Sequence, residues 1–558
     1  MMAMEQDPHA SLRVRDAAQL EWDDSADLLV VGFGGAGVCA AIEAAERGLS
    51  VLALDRFAGG GATARSGGVV YAGGGTPQQA EAGVEDSAED MYAYLRQEVG
   101  DAVSSDTLRD FCERSRANLA WLERQGATFQ GSVPPLKTSY PSDQYFLYYS
   151  GNEAVPRYAA KARPAPRGHR AMGSGMSGIN LFRPLAASAL RLGVRVRSQC
   201  DVRRLVLDEV GAVLGVEAWE LPPGSRAARQ HARLSHWTDT LHPYVPAVAE
   251  RWRRRLRDLE RDHARRRLIR AVHGVLLSAG GFVFNRAMLA QHAPRYLDGL
   301  PLGTSGCDGS GIRLGVSAGG RTERMERASA WRFINPPLAW ARGLIVNGQG
   351  LRYCNEEVYG AKLGHAMVEE QDGRAILVLN RALMKEAFAQ VGPGKVWSFQ
   401  RLPAVLNMLF NARRGDSLAQ LSERTGLPLG NLQRTLADYS AAARGECEDA
   451  LGKSHAFLAE LDTGPWYALD LSFASKLFPC PVITLGGLAV CEHSGQVLNA
   501  DGQGIPGLFA AGRNAVGVAS NFYVSGLSLA DCVHSGRRVG AHVAGLAPAA
   551  ANPQGEQR

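Results

Sequence analysis

The sequence predicts an α/β fold, a Rossmann-type nucleotide-binding domain interrupted by an inserted α+β domain that caps it. Three observations carry this. The run Ala26-Asp27-Leu28-Leu29-Val30-Val31-Gly32 is almost continuously apolar, the signature of a parallel strand buried on both faces. It leads into Gly32-Phe33-Gly34-Gly35-Ala36-Gly37, a G-x-G-x-x-G turn set between strand and helix. Glycine-rich sequence of the same style returns near the far end, at 482–548, after a less glycine-rich stretch over 330–470.

The elements follow in order. Residues 1–25 read as a loose polar leader. After the first strand comes a helix to about Gly48, then a second strand, Ser50 to Leu54. Helical spacing over 85–126 predicts two helices. Tyr140 to Tyr149 is a loop rich in aromatic rings. Arg195 to Glu217 alternates apolar and polar about a Glu-Val-Gly-Ala turn, as in a β-hairpin. Pro222-Pro223-Gly224 then opens a basic helical insertion, 222–270, with nine arginines between Arg251 and Arg267. Val275 to Gly281 returns to a buried strand. The expected division is a leader (1–25), a first nucleotide-binding part (26–330), a substrate or cap domain (331–470), a second nucleotide-binding part (471–548) and a tail (549–558).

At 558 residues the chain is too long for one core, and 46% hydrophobic with 21% charged residues suits a globular enzyme. A net charge of +5 on this length implies no nucleic-acid partner. The nine cysteines are scattered without a C-x-x-C pair, which suggests no metal or dithiol site and fits reduced thiols in the cytoplasm. The first 25 residues carry acids and no apolar core, and no run of about 18 apolar residues occurs, so neither a signal peptide nor a transmembrane helix is expected.

The glycine turn has a defined chemistry. Gly32 permits the tight turn, Gly34 lets the backbone approach a pyrophosphate, and Gly37 lets helix and strand pack closely. The helix N-terminus with Gly35 and Ala36 stabilises the phosphate charge. Asp55 closes the second strand 23 residues after Gly32, where an acid accepts hydrogen bonds from ribose hydroxyls. A second glycine-rich loop, Gly59 to Gly68, follows at once and would line an extended cofactor. Gly507 to Arg513 is a short strand ending in a small-residue turn, and Ser525-Gly526-Leu527-Ser528-Leu529 opens a helix whose free N–H groups suit an anionic reduced flavin. The cofactor expected is FAD.

These motifs, with Ala279-Gly280-Gly281, Asp308-Gly309-Ser310-Gly311, Val346-Asn347 and Arg352-Tyr353-Cys354-Asn355-Glu356, make the chain resemble the fumarate reductase/3-ketosteroid dehydrogenase flavoprotein family from about Ala26 to Ala544. The resemblance implies a glutathione-reductase-like Rossmann domain. It implies cofactor contacts at Gly32, Gly34, Gly35, Ala36, Gly37, Asp55 and Arg56; at Gly61, Ala62, Thr63, Ser66, Gly67 and Gly68; at Val202, Ala279, Gly280 and Asp308; and at Gly512, Arg513, Ser525, Gly526, Ser528 and Leu529. No His stands in the Gly59–Thr76 loop to carry a covalent bond, so FAD is expected to be non-covalent.

Members that reduce fumarate-like dicarboxylates carry an Arg proton donor just after the Asn-Glu pair. Here Asn355-Glu356-Glu357-Val358-Tyr359-Gly360 has Gly360 in that place, and Ala339-Trp340-Ala341-Arg342 lacks the acid that feeds it. Tyr359 instead looks like the tyrosine that ketosteroid dehydrogenases present over the flavin. Tyr523-Val524-Ser525 matches the Tyr-x-Ser of enzymes that introduce the 4-ene into 5α-reduced 3-ketosteroids, where the 1-ene-forming enzymes read Tyr-x-Gly.

The resemblance therefore implies desaturation next to a ketone. A hydroxyl acidifies the neighbouring C–H, Tyr359, Tyr523 or a Ser525 relay takes the proton, and flavin N5 takes the hydride. A phenol needs a lowered pKa or a relay to act as the base. Tyr145, Phe146, Tyr148 and Tyr149 are the expected apolar walls for a small hydrophobic, steroid-like substrate. Three rival readings stay open: a reductase of another conjugated acid or ketone, a 3-ketosteroid 1-dehydrogenase, and a flavin-holding electron-transfer protein. The electron acceptor, a quinone or another carrier, is also open. So is the basic segment 243–268, either a contact for an anionic membrane or a solvated face with internal ion pairs through Glu250, Asp258, Glu260 and Asp262.

Overall fold

The structure, a computed structural model, describes residues 10–15 and 20–546. The expected tail, 549–558, and much of the leader lie outside the described residues. Leu12–Arg13 of the leader is not loose. It forms β1, parallel to the strand Cys200–Leu207 with Leu12 beside Val206, and the Val14 amide donates to the Leu207 carbonyl (2.9 Å).

A nine-stranded sheet organises the molecule. Its strands are β1, β2 (Asp24–Val31), β3 (Val51–Asp55), β4 (Arg195–Ser198), β5 (Cys200–Leu207), β6 (Val213–Glu220), β7 (Arg265–Leu277), β12 (Gln496–Leu498) and β13 (Gly504–Ala510). The order is β1-β5-β6-β7-β2-β3-β4, with β13 on β7 and β12 on β13. β2, β3, β4, β7 and β13 form the parallel part, and the helix α1 (Gly35–Glu46) crosses from β2 to β3. Leu28, Leu29 and Val30 are fully buried, the two-sided burial that their unbroken apolar run required.

Two expectations are corrected. Arg195–Ser198 does not belong to the hairpin but pairs with β3, because Gln199 takes a left-handed backbone (φ 55°) and breaks the strand there. The hairpin proper is β5–β6, Cys200 to Glu220. Likewise Arg265, Arg266 and Arg267 are not helical. They begin β7, whose first half pairs antiparallel with β6 and whose second half pairs parallel with β13. Extended backbone lets Arg266 reach Glu217 (2.6 Å) and Arg267 reach Asp23 (2.9 Å).

The insertion is two helices, α2 (Arg226–Leu241) and α3 (Pro246–His263), joined by 242–245. Within the long middle stretch, β8 (Leu344–Val346), β9 (Ile376–Asn380), β10 (Ala412–Gly415) and β11 (Trp466–Asp470) form a separate antiparallel sheet, ordered β8-β9-β11-β10, with helices around it. Ala328–Ala330 leads into this region and Pro481–Thr484 leads out, and the two pair antiparallel. The last described element is α4 (Leu527–Leu546), packed on α1. Among the described residues no helix is long and apolar enough to cross a membrane, and no cluster suits a metal ion.

Candidate cofactor site and active site

The carboxyl ends of β2, β3, β7 and β13 open at one edge of the sheet, the place where parallel α/β sheets bind ligands. Gly32–Gly37 follows β2, Asp55 ends β3, Ala279 and Gly280 follow β7, and Gly512 and Arg513 follow β13. Four sequence-distant groups of expected contacts therefore meet. Gly32 has φ +98°, and a Cβ there would lie 2.7 Å from Ala279 Cα. A Cβ on Gly37 would lie 2.1 Å from the Gly32 carbonyl, so this glycine is needed for the turn itself. Gly34 differs, because a Cβ there meets nothing within 4 Å. Protein packing does not demand glycine at Gly34, and the free room is what a pyrophosphate would take.

Asp55 is preorganised. Its carboxylate accepts hydrogen bonds from the amides of Phe33 (2.9 Å), Phe57 (2.8 Å) and Gly59 (3.2 Å), which ties both glycine loops to the end of β3. Gly61, Ala62 and Thr63 lie in the short helix Gly61–Arg65, and the Thr63 hydroxyl accepts from the Gly35 amide (3.1 Å). Ser66 caps the turn, with its Oγ donating to the Thr63 carbonyl (2.8 Å) and accepting from the Gly68 amide (3.1 Å). Gly67 lies against the Tyr140 ring. Val202 is buried on β5, and the Gln199 amide donates to the Phe57 carbonyl (2.9 Å), holding the start of β5 against the loop after β3. The Arg56 guanidinium is committed to protein acids, Glu260 (2.9 and 2.8 Å) and Asp308 (2.8 Å).

Ser525, Gly526, Ser528 and Leu529 enter α4 beside Val69–Tyr71. Ser528 Oγ and both ends of the buried Asn514 amide have no hydrogen-bond partner in the protein. Buried polar atoms are rarely left unpaired, so orphans at this edge, with the room at Gly34, fit an extended polar cofactor.

Beyond the α4 end lies an aromatic cluster. The Tyr359 and Tyr523 rings stack 6.3 Å apart, and Trp331 packs 6.1 Å from Tyr359. Tyr140 meets Trp331 (5.2 Å), Trp397 (5.5 Å), Phe399 (6.2 Å) and Tyr148 (6.4 Å). Ser525 Oγ donates to Tyr140 Oη over 3.4 Å. The three expected catalytic residues, Tyr359, Tyr523 and Ser525, are therefore together, with Tyr140 as a fourth hydroxyl that their spacing did not indicate. The phenols of Tyr148 and Tyr359 lie near Ser525 but close no well-formed hydrogen bond with it. Burial pushes the phenols of Tyr140, Tyr359 and Tyr523 above their usual range, which favours their protonated, hydrogen-bond-donating form. Of the four expected walls only Tyr148 joins the cluster directly. Phe146 packs under Arg170 (5.1 Å), whereas Tyr145 and Tyr149 are half-buried, because strand alternation and the turn at Ser142 aim them elsewhere.

The dicarboxylate chemistry has no place here. A Cβ on Gly360 would lie 2.9 Å from the Arg332 carbonyl and the Phe333 backbone, so no arginine fits. Arg342 pairs with Glu386 (3.3 Å). Arg170, which stacks on Trp397 (4.3 Å), is neutralised by Asp143 (2.6 Å). A cluster of aromatic rings and neutral hydroxyls is a surface that suits an uncharged apolar substrate.

The parallel strands, the glycine turn and the acid at the end of β3 define a Rossmann-type flavoenzyme. Residues 27–529 match the FAD binding domain family, and the chain belongs to it, with FAD as its cofactor. Over 507 residues the chain is 43% identical to the 3-oxo-5-alpha-steroid 4-dehydrogenase of Comamonas testosteroni, an alignment covering 90% of this chain and 95% of that protein. It is 26% identical to the 3-oxosteroid 1-dehydrogenase of Mycolicibacterium smegmatis, over 89% of this chain and 93% of that one. Among solved structures it matches the 3-ketosteroid-delta4-(5alpha)-dehydrogenase of Rhodococcus jostii in complex with 4-androstene-3,17-dione, with a TM-score of 0.80 and 32% identity over 96% of this chain and all of that one. The enzyme class and the family resemblance are as the sequence led one to expect.

Proposed function

We propose that this chain is an FAD-dependent dehydrogenase that introduces the 4-ene into a 5α-reduced 3-ketosteroid. The observation that carries the reading is the meeting of Tyr359, Tyr523 and Ser525 in an aromatic cluster at the α4 end of the cofactor site. The Tyr-x-Ser spacing and the 43% identity to a steroid 4-dehydrogenase support it over the 1-ene alternative.

Bound non-covalently at the glycine turns, FAD supplies the hydride acceptor. The residues of this chain do the rest. Tyr523 and Tyr359, kept protonated by burial, donate hydrogen bonds to the 3-ketone and acidify the adjacent C4–H. Ser525 takes the C4 proton as its own moves to Tyr140, and the Tyr140 phenolic proton leaves in turn to solvent, so each hydroxyl ends neutral. The 3.4 Å between them is long for such a bond, as is common before substrate closes the site. Loss of one proton from C4 and one hydride from C5 leaves the conjugated enone. Trp331, Tyr148 and Trp397 keep water from the reacting atoms. An external acceptor, quinone or other carrier, must then take the electrons.

A steroid-like substrate partitions into lipid, and we read the exposed end of the α2–α3 hairpin as a contact for an anionic membrane. Trp237, Tyr244, Val245 and Val248 are exposed there beside the exposed Arg251, Arg254 and Arg255.

The function is tested by mixing the oxidised holoenzyme anaerobically with a panel of 5α-reduced and 4-ene 3-ketosteroids and following the flavin absorbance at about 450 nm on the order of seconds, as expected for ordinary turnover. Bleaching with formation of the 4-ene product is expected. Bleaching only by 4-ene substrates, with a 1,4-diene formed, would assign the 1-dehydrogenase activity instead.

A further inference from the structure

The α2–α3 hairpin interrupts a connection that needs only a turn. β6 and β7 are adjacent antiparallel strands, and Glu220 at the end of one pairs with Arg265 at the start of the other. Segment 221–264 is therefore not required to join them. Its helices are strongly hydrophilic, yet several of their side chains end on the loops that hold the expected cofactor contacts.

Two sets of contacts do this. On the first, Glu260 of α3 is buried and takes a bidentate hydrogen bond from Arg56, which immediately follows Asp55 and also grips Asp308. His231 of α2 braces Glu260 (Nε2 to Oε1, 3.0 Å) and stacks on Phe57 (5.7 Å). Burial alone would raise the Glu260 carboxyl, but Arg56 and His231 hold it at about 2, so it is ionised and engaged at neutral pH. On the second, the Asp239 carboxylate accepts from the amide (3.0 Å) and hydroxyl (2.7 Å) of Ser305, and Arg253 donates to the same hydroxyl (3.0 Å). Thr240 accepts from Arg65 (2.9 Å), at the end of the second glycine loop.

We propose that the hairpin is a cofactor latch: it closes over the adenosine end of bound FAD, and Glu260 and Asp239 are positioning residues that hold it shut. This rests on the reading of Gly32–Gly37 and Asp55 as the FAD site. The body of the protein keeps its own sheet and core without these contacts, so their loss should free the cofactor rather than unfold the chain.

The test measures FAD release from the holoenzyme, by the rise of free-flavin fluorescence after dilution, together with the Kd for FAD rebinding to apoprotein. Glu260→Gln and Asp239→Asn are each expected to speed release at least tenfold and the double variant further, while flavin reduction by steroid at saturating FAD keeps its wild-type rate. Should either variant fail to fold, Ser305→Ala, which removes the hydroxyl that Asp239 and Arg253 share and leaves the hairpin and the Ser305 amide intact, is expected to speed release likewise. Release at the wild-type rate from the folded double variant, or from Ser305→Ala where the others do not fold, overturns the latch. Gly34→Val is the control for the underlying site and should yield folded protein without flavin. If Gly34→Val keeps stoichiometric FAD, the site reading fails. If it loses FAD while the latch variants release flavin normally, the latch alone fails.

Discussion

Tyr359 and Tyr523 are far apart in the chain, yet their rings stack because separate devices aim them. The Tyr359 amide is held by the Asn152 side chain (2.6 Å) where the short helix Gly360–His365 begins, and Tyr523 precedes the turn into α4. Both were legible in the sequence because each sits in a short motif with a family pattern. Tyr140, Trp331 and Trp397 were not, because their meeting depends on loops closing over one another, which no local spacing encodes. Each hydroxyl has a role that substitution can separate from FAD binding. Tyr523→Phe and Tyr359→Phe should each slow flavin reduction by steroid about 100-fold, the usual cost of losing a general acid or base, with flavin content unchanged. Ser525→Gly, which creates the Tyr-x-Gly pattern, should lose 4-ene formation, read by the absorbance and mass of the product. Wild-type rates in both Phe variants would make these tyrosines structural and remove the proposed mechanism.

At the scale of elements, strand β2, helix α1 and the turn between them followed directly from an apolar run and three glycines, since all of that information is local. The hairpin insertion was harder. Its arginines suggested one long basic helix, but Ser225 caps a separate helix α2 by accepting from the Ala228 amide (3.0 Å), and Arg265–Arg267 are pulled into β7 by Glu217, Asp23 and Glu220. Ion pairs account for part of α3, with Glu250 engaging Arg253 and Arg257, and Asp258 and Asp262 engaging Arg261. Glu260, expected among those internal pairs, instead leaves the helix to meet Arg56. Arg251, Arg254 and Arg255 stay exposed next to the apolar end of the hairpin. The protein should therefore co-sediment with vesicles containing anionic lipid and less with neutral ones, binding should weaken as salt is raised, and Trp237→Ser with Val248→Ser should reduce it severalfold. Equal recovery with anionic and neutral vesicles, or no effect of the double substitution, would leave this end of the hairpin a solvated face.

At the scale of the whole molecule, the return of cofactor-style sequence after 470 pointed to an inserted region, and the separate β8–β11 sheet is the fold that stretch adopts. Its ends were not legible to the residue. The entering strand Ala328–Ala330 and the leaving strand Pro481–Thr484 are bound to each other, and the Trp331 amide donates to the Pro481 carbonyl (2.8 Å). We propose that these two chain crossings, tied together, act as a narrow hinge, since hinges of a few element-terminal residues are how enzymes close over substrate. The aromatic cluster straddles the gap, because Tyr140, Tyr148 and Tyr523 come from the cofactor side while Trp331, Tyr359, Trp397 and Phe399 come from the inserted side. The two sets are in ring contact here, so an apolar substrate must part them to enter and would then hold them at one spacing; we propose that 331–470 is a cap that moves as a unit. Spin labels on the exposed Cys447 of the cap and on an introduced Val210→Cys of the β5–β6 turn, with the partly exposed Cys491 replaced by Ser, give a distance across the hinge. Without steroid the distribution should be broad or double, and saturating 3-ketosteroid should collapse it to one distance. A single distance that the steroid does not change would make the cap a rigid part of the site, and substrate would then have to enter through a fixed opening.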